Sequence, residues 1–207
     1  MITGYIARFF SYILHPLLMP FYAMALLLHY NSYLSYVVSP VMQRIIFIIV
    51  FLTTFAMPSL TSYMLLKRGS IRSLEMETIG ERTIPFITTG GYYFACYWVL
   101  QQLSIPRLFS LIVLGAAISI VLAFIINRKW KISIHMIGIG GITGCLYALS
   151  QILISDLMFP IIISIICAGI LGSSRLAREA HTPSQIYTGY MLGFMVEWIL
   201  LMGMLES

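Results

Sequence analysis

Long apolar runs alternate with short polar connections along this chain. Because a helix needs about 20 apolar residues to cross a bilayer, the pattern predicts seven membrane-spanning helices: 5–29, 41–66, 84–104, 107–126, 135–154, 157–172 and 184–204. The first run contains His15-Pro16 and Pro20, so it predicts either a kinked span or a segment that inserts only in part, which leaves six spans. We therefore expect an all-α transmembrane bundle that forms one integral-membrane domain over residues 1–207.

Composition supports the same class of protein. Of the 207 residues, 60% are hydrophobic and 9% are charged, and no soluble domain has enough interior to bury that much apolar surface. The net charge of +5 comes from lysines and arginines in the connections, which is typical of a membrane surface, so nucleic acid is not an expected partner. Cys96, Cys145 and Cys167 lack paired spacing, which indicates small buried side chains, and we expect no metal and no cofactor.

The basic residues are unevenly distributed among the connections. They concentrate in residues 67–83, 127–134 and 173–183, with Arg8 at the N-terminus. With seven spans, these connections all lie on one face of the membrane, and the positive-inside rule places that face in the cytoplasm. We expect the protein in the inner (cytoplasmic) membrane of a bacterium.

Two spans carry glycines four residues apart: Gly140 and Gly144 in the fifth, and Gly189 and Gly193 in the seventh. Small residues at this spacing predict close packing between helices. In the seventh span the glycines continue a stripe that begins at His181 and Gln185 and ends at Glu197, so the stripe is expected to face the bundle interior. At about 1.5 Å per residue, Glu197 lies roughly 24 Å from His181, which predicts a separate role, either a buried polar contact or part of a polar pathway.

The polar segment 173–185 contains a strong helix-start signal. Thr182 is the predicted N-cap, Pro183 the first helical residue and Gln185 the third, which together form a capping box. His181 therefore precedes a helix N-terminus, where free backbone N–H groups and the helix dipole favour an anion. With Arg175 nearby, the segment predicts a phosphate site.

Two other connections on the same face carry related residues at the starts of spans. Arg82, followed by Pro85, precedes the third span, and Ser133 and His135 precede the fifth. Arginines donate bidentate hydrogen bonds to phosphate, and histidines act as nucleophiles or proton donors near neutral pH. Taken singly, each residue also has a plain interpretation: an arginine at the membrane interface, a hydrogen-bonded histidine, or a serine that caps a helix.

Three segments resemble the motifs of the type 2 phosphatidic acid phosphatases. Ser174-Arg175, five intervening residues and His181 resemble the third motif of that family. Ser133-Ile134-His135 is similar to its second motif, Ser-Gly-His, and Arg82 with Pro85 is similar to the end of its first, where proline directly follows arginine. The order of the motifs matches, and the resemblance covers residues 67–200. The family consists of integral-membrane, metal-independent lipid phosphatases that share a helical fold with vanadium haloperoxidases.

The resemblance implies a role for each matching residue. His181 would attack phosphorus and form a phosphohistidine, and His135 would protonate the leaving oxygen. Arg82 and Arg175 would bind the phosphoryl oxygens, aided by Ser133 and nearby backbone amides. This division of roles suits phosphoryl transfer, which depends on positioning and charge neutralisation.

At three positions the chain departs from the family pattern. Glu75 stands where the first motif has a lysine, and Ile134 where the second has a glycine. Gln185 stands where the third motif has an aspartate, so an amide would orient the nucleophilic histidine without adding negative charge.

Three hypotheses follow from these residues. The first is a membrane lipid phosphatase whose substrate is a phospholipid or polyprenyl phosphate; phosphatidate, phosphatidylglycerol phosphate, a polyprenyl diphosphate and a lipid A phosphate all suit the chemistry. The second is a degenerate homologue that binds or moves anionic lipid without hydrolysis, which Glu75 and Gln185 favour. The third is a small transporter, which Glu197 and the proline-broken first span favour.

Overall fold

The protein is described here by a computed structural model covering residues 2–30, 32–74, 76, 78–153 and 156–205. It is 83% helix, and this part of the chain contains no strand. The prediction of an all-α fold is therefore confirmed.

The described residues form ten α-helices. These are α1 (Ile2–Ile13), α2 (Met19–Tyr30), α3 (Ser32–Val37), α4 (Pro40–Val50), α5 (Met57–Lys67), α6 (Ile79–Gln101), α7 (Arg107–Asn127), α8 (Ile134–Ile152), α9 (Met158–Ala177) and α10 (Pro183–Leu205). A single 3₁₀ turn, Pro16–Leu18, lies between α1 and α2, and a π-helical segment, Phe51–Ala56, joins α4 to α5.

Four helices are long and apolar enough to cross a membrane. They are the continuous helix Pro40–Lys67, then Arg107–Asn127, Met158–Ala177 and Pro183–Met204. Each coincides with one of the predicted spans, within a few residues at its ends. These four helices indicate a membrane protein. The predicted spans 84–104 and 135–154 are also helical, and they correspond to α6 and α8.

The first predicted span is broken rather than continuous. At the break, the His15 side chain accepts a hydrogen bond from the backbone N–H of Leu17 at 3.3 Å. The backbone oxygens freed there also find donors, because the Tyr22 hydroxyl donates to Ile13 O at 2.8 Å and the Thr54 hydroxyl to Leu17 O at 3.2 Å. Proline removes a helical N–H, so these side-chain bonds are what make a broken helix tolerable in an apolar bundle.

The helices α8 and α10 run in the same direction and lie very close together. Three glycines meet a backbone oxygen of the facing helix so closely that a Cβ would overlap it: Gly140 with Tyr190, Gly144 with Phe194 and Gly193 with Ile137. Only glycine permits this approach, so the predicted role of the glycine pairs is confirmed.

The helix α9 extends further than the predicted span 157–172. It continues to Ala177, so Ser174 and Arg175 are helical rather than part of a polar connection. The Ser174 hydroxyl donates to Ile170 O at 2.8 Å. That bond satisfies the Ser174 hydroxyl within the helix itself. The polar residues here therefore continue α9, and Arg175 lies in its last turn.

The helix α6 begins five residues before the predicted span 84–104. Its start is a capping box, in which Glu81 N–H donates to the Thr78 hydroxyl at 3.4 Å and Thr78 N–H donates to Glu81 Oε2 at 3.2 Å. Arg82 consequently lies in the first turn of α6 and not before it. The Thr-x-x-Glu spacing is a recognised helix-start signal that locates this boundary.

Candidate active site

A cavity of about 530 Å³ lies among the helices, and we call it the site cavity. Four of the predicted site residues line it: His135, His181, Arg82 and Arg175. His15, Arg178 and Glu197 are among the other polar residues that line it. Groups from both ends of the sequence therefore share one enclosed space.

His181 precedes α10 and is buried, with 8% of its surface exposed. Its ring Nδ1 lies 3.1 Å from Gln185 Oε1, and the Thr182 backbone N–H donates to the same oxygen at 3.2 Å. Because an amide oxygen only accepts, Nδ1 carries the proton in this pair, and Nε2 has the free lone pair. The bond from the Thr182 N–H is one half of the predicted capping box. In place of the other half, the Thr182 hydroxyl contacts the Ser184 hydroxyl at 3.0 Å.

The surroundings of His181 favour its neutral form. The pKa of His181 is lowered to about 4, mainly because the ring is buried. The hydrogen bond to Gln185 raises this pKa, and the positive charge of Arg175 lowers it. Since the folded pKa is below the usual value of about 6.5, the imidazole is neutral at pH 7. A neutral imidazole with a free Nε2 lone pair is the form that can act as a nucleophile.

His135 lies in the first turn of α8 and faces the broken first helix. Its Nε2 is 3.3 Å from Ser11 O, and because a carbonyl oxygen only accepts, this nitrogen carries the proton. The His15 ring packs edge-on against the His135 ring, with 5.7 Å between centroids. Sequence reasoning treated His15 only as part of a kink. Its position beside Pro16 in an apolar run was the available signal, since broken helices place polar groups in membrane cavities.

Arg82 is buried and held in a fixed orientation. Its Nε donates to Met76 O at 2.7 Å, and its Nη1 donates to the Asn127 side-chain oxygen at 3.3 Å. Both acceptors are neutral, so these bonds orient the guanidinium without cancelling its charge. Asn127, the last residue of α7, was not singled out from the sequence.

Arg175 and Arg178 bring further positive charge to the site cavity from the end of α9. Arg175 is buried, with 9% of its surface exposed. A helix C-terminus favours cations, which helps to hold an arginine there. Three guanidinium groups in one partly enclosed space favour an anionic ligand.

Ser133 and Gln185 are not among the residues that line the site cavity. Ser133 is fully buried; its N–H donates to Gln185 O at 3.4 Å, and its carbonyl oxygen faces Gly189. The Ser133 side chain occupies the N-cap position of α8 without forming a capping hydrogen bond, because the close approach of α10 encloses it. Ile134, by contrast, lines the site cavity.

The remaining departure from the family pattern, Glu75, lies outside the described residues. Within those residues, no group of three or more histidine, cysteine, aspartate or glutamate side chains is placed to bind a metal ion.

Glu197 lines the same cavity as His181, although its distance from His181 along α10 predicts a separate role. The reason is an offset between helices, because α8 begins level with Gly189 rather than with the start of α10: a Cβ at Gly189 would come 2.7 Å from Ser133 O. The site cavity therefore extends along α10 past the level of His135.

Comparisons of the chain with family models, curated proteins and solved structures found no match. The likeness to the lipid phosphatases accordingly depends on the three short motifs and on where their residues lie.

Chemically, the site cavity combines three kinds of group. Guanidinium groups can bind phosphoryl oxygens, the Nε2 lone pair of His181 can attack phosphorus, and the Nε2–H of His135 can supply a proton. Groups of these kinds are the ones that metal-independent phosphoryl transfer uses.

Proposed function

We propose that this protein hydrolyses a phosphate monoester or diphosphate carried by a membrane lipid. The observation that supports the proposal most strongly is the convergence of Arg82, His135, Arg175 and His181, from four separate elements, on one cavity. The chain has only 12 lysines and arginines and four histidines, so three histidines and three arginines in one cavity favour a shared ligand over independent roles at the interface.

The reaction follows from the protonation pattern of the two histidines. The Nε2 lone pair of His181 forms a bond to phosphorus, and the bond between phosphorus and the lipid oxygen breaks. With a lipid phosphate bound beside it, His135 also carries a proton on Nδ1, and its Nε2 proton passes from its contact with Ser11 O to the leaving oxygen, which leaves a neutral ring. Water then gives a proton to His135 Nε2 and attacks the phosphohistidine, which releases inorganic phosphate and regenerates neutral His181. Arg82 and Arg175 bind the phosphoryl oxygens throughout.

In this proposal the protein lies in the inner membrane of a bacterium, with α6, α8 and the broken first helix completing a bundle of six or seven spans. A substrate with an anionic head and apolar tails suits a cavity whose polar groups lie among apolar helices. Phosphatidate, phosphatidylglycerol phosphate, a polyprenyl diphosphate and a lipid A phosphate are the substrates to compare.

The test is release of inorganic phosphate by detergent-purified protein from those four lipids. We expect turnover of at least one of them, inhibition by vanadate, and no turnover in His181→Ala. Turnover that persists in His181→Ala removes the proposed nucleophile.

A second candidate function is binding or movement of anionic lipid without hydrolysis. Two observations favour it: the Nε2–H of His135 is engaged by Ser11 O, and an amide rather than a carboxylate contacts His181. Saturable binding of a lipid phosphate with no phosphate release from any of the four lipids would support this candidate against the first.

A further inference from the structure

Glu197 has no assigned role in the reaction proposed above, yet it is the carboxyl group that lines the site cavity. It lies on the inward face of α10, and only 3% of its surface is exposed. A carboxyl buried within an apolar bundle is costly unless it has a partner, so such a residue indicates a function.

Gly115 on α7 makes room for this side chain. A Cβ at Gly115 would come 2.5 Å from Glu197 Oε2 and 2.6 Å from Oε1, so any larger residue there would displace the carboxyl group. On the other side, a Cβ at Gly141 on α8 would be in ordinary contact with Glu197 Cγ, at 3.5 Å. The carboxyl group thus lies between α7 and α8.

The carboxyl group lacks a hydrogen-bond donor within the described part of the protein. Its Oε2 is fully buried and has no partner there. The Tyr93 hydroxyl, which also lines the site cavity, donates to Thr54 O at 3.4 Å. Because a buried acceptor without a donor is destabilising, a donor that enters the cavity would bind favourably at Glu197.

The distance between Glu197 and His135 is short when measured along α8. Glu197 packs against Gly141, which follows His135 by six residues, or about 9 Å of helix. A single lipid molecule can therefore place its phosphate beside His135 and His181 and a group near the start of its acyl chain beside Glu197.

We infer that Glu197 forms a second subsite for the same ligand, which accepts a hydrogen bond from a hydroxyl or amide group in the lipid body. The substrate class is then a lipid phosphate whose acyl chain carries such a donor close to its linkage with the head group. This inference rests on the proposed function, since it places the lipid phosphate in the site cavity.

The test compares two lipids and three proteins. The lipids are a phosphatidate with 3-hydroxyacyl chains and a phosphatidate with plain acyl chains of the same length. The proteins are the wild type, Glu197→Leu, which removes both oxygens, and Glu197→Gln, which keeps an acceptor oxygen at the same reach. We expect the wild type and Glu197→Gln to favour the hydroxylated lipid about three- to tenfold in kcat/KM, the value of one hydrogen bond. In Glu197→Leu the ratio should approach one.

Equal use of the two lipids by the wild type overturns the subsite, and that comparison does not depend on how well Glu197→Leu folds. A preference that survives in Glu197→Leu overturns it as well. The proposed hydrolysis fails in a different way. If neither lipid releases phosphate, but the hydroxylated lipid displaces a fluorescent lipid phosphate more effectively from the wild type and not from Glu197→Leu, then the subsite stands and the hydrolysis does not.

Discussion

The starts of α10 and α8 each place one histidine in the site cavity, and they do so in different ways. At the start of α10, His181 is held by the side chain of Gln185, four residues later in the chain. At the start of α8, His135 is held by the backbone oxygen of Ser11, which is 124 residues away in sequence. The first arrangement is local and follows from one helix turn, whereas the second exists only after the broken first helix packs against the bundle.

The same comparison separates the chemistry of the two rings. Gln185 accepts a hydrogen bond from His181 Nδ1–H, so Nε2 of that ring keeps its lone pair. Ser11 O accepts a hydrogen bond from His135 Nε2–H. One ring is thus prepared to attack and the other to donate a proton. Each of the following predictions tests one side of this difference.

The largest effect is expected at the attacking histidine. His181→Ala should lower phosphate release by about 10³-fold or more, because the proposed covalent intermediate forms on the His181 ring. His29, an exposed histidine at the far end of α2, provides the matched control, and His29→Ala should keep wild-type activity. Comparable losses in both variants would show that the effect is not specific to the site cavity.

His135→Ala should lower release from a lipid phosphate by about 10²-fold, the typical contribution of a general acid. The loss should largely disappear with an aryl phosphate such as p-nitrophenyl phosphate, because its leaving group departs without a proton. His181→Ala should remain inactive towards both substrates. If the aryl phosphate fails to restore His135→Ala, the donor role assigned to His135 is wrong.

Changes at Gln185 should have the next largest effect. Gln185→Leu removes the acceptor that fixes the His181 tautomer and should lower activity about 10- to 100-fold. Attack requires neutral His181, so activity should fall as the pH drops through about 4, the pKa of His181 in this environment.

Gln185→Glu adds a negative charge that stabilises the protonated ring. The midpoint of the acidic limb should therefore move to higher pH, as a pH–rate profile would reveal. An unchanged midpoint in Gln185→Glu would contradict the contact between these two side chains.

The smallest effect is expected at Arg82, from a substitution that keeps its positive charge. Arg82→Lys should raise KM about tenfold, because lysine cannot reproduce the fork of donors that Met76 and Asn127 orient. Arg128→Lys, at an exposed position after α7, should leave KM unchanged. Equal KM values for both variants would remove Arg82 from phosphate binding.

The comparison also explains how much the sequence could predict. Apolar run length predicted the four long apolar helices, because that signal lies within each helix. The motif at 173–185 predicted the contact of Gln185 with the start of α10, since capping depends on neighbours three or four residues apart. The start of α6 was placed too late, because a capping signal at Thr78 was overlooked. The end of α9 was placed too early, because its polar residues continue the helix.

What the sequence could not predict is the offset between helices. The spacing along α10 gave the distance between Glu197 and His181. It did not show that α8 begins level with Gly189. Glycine pairs predict that two helices approach closely but leave their register open, because each glycine tolerates several partners. The roles of His15, Ser11 and Glu197 depend on that register.

The central claim is that His181 accepts the phosphoryl group. Its most direct test is to mix His135→Ala protein with its best aryl phosphate, quench under alkaline conditions that preserve phosphohistidine, and map the modified peptide by mass spectrometry. The account predicts one phosphoryl group on His181 that disappears as turnover ends. Turnover without any phosphorylated histidine, or with the phosphoryl group on another residue, would contradict it.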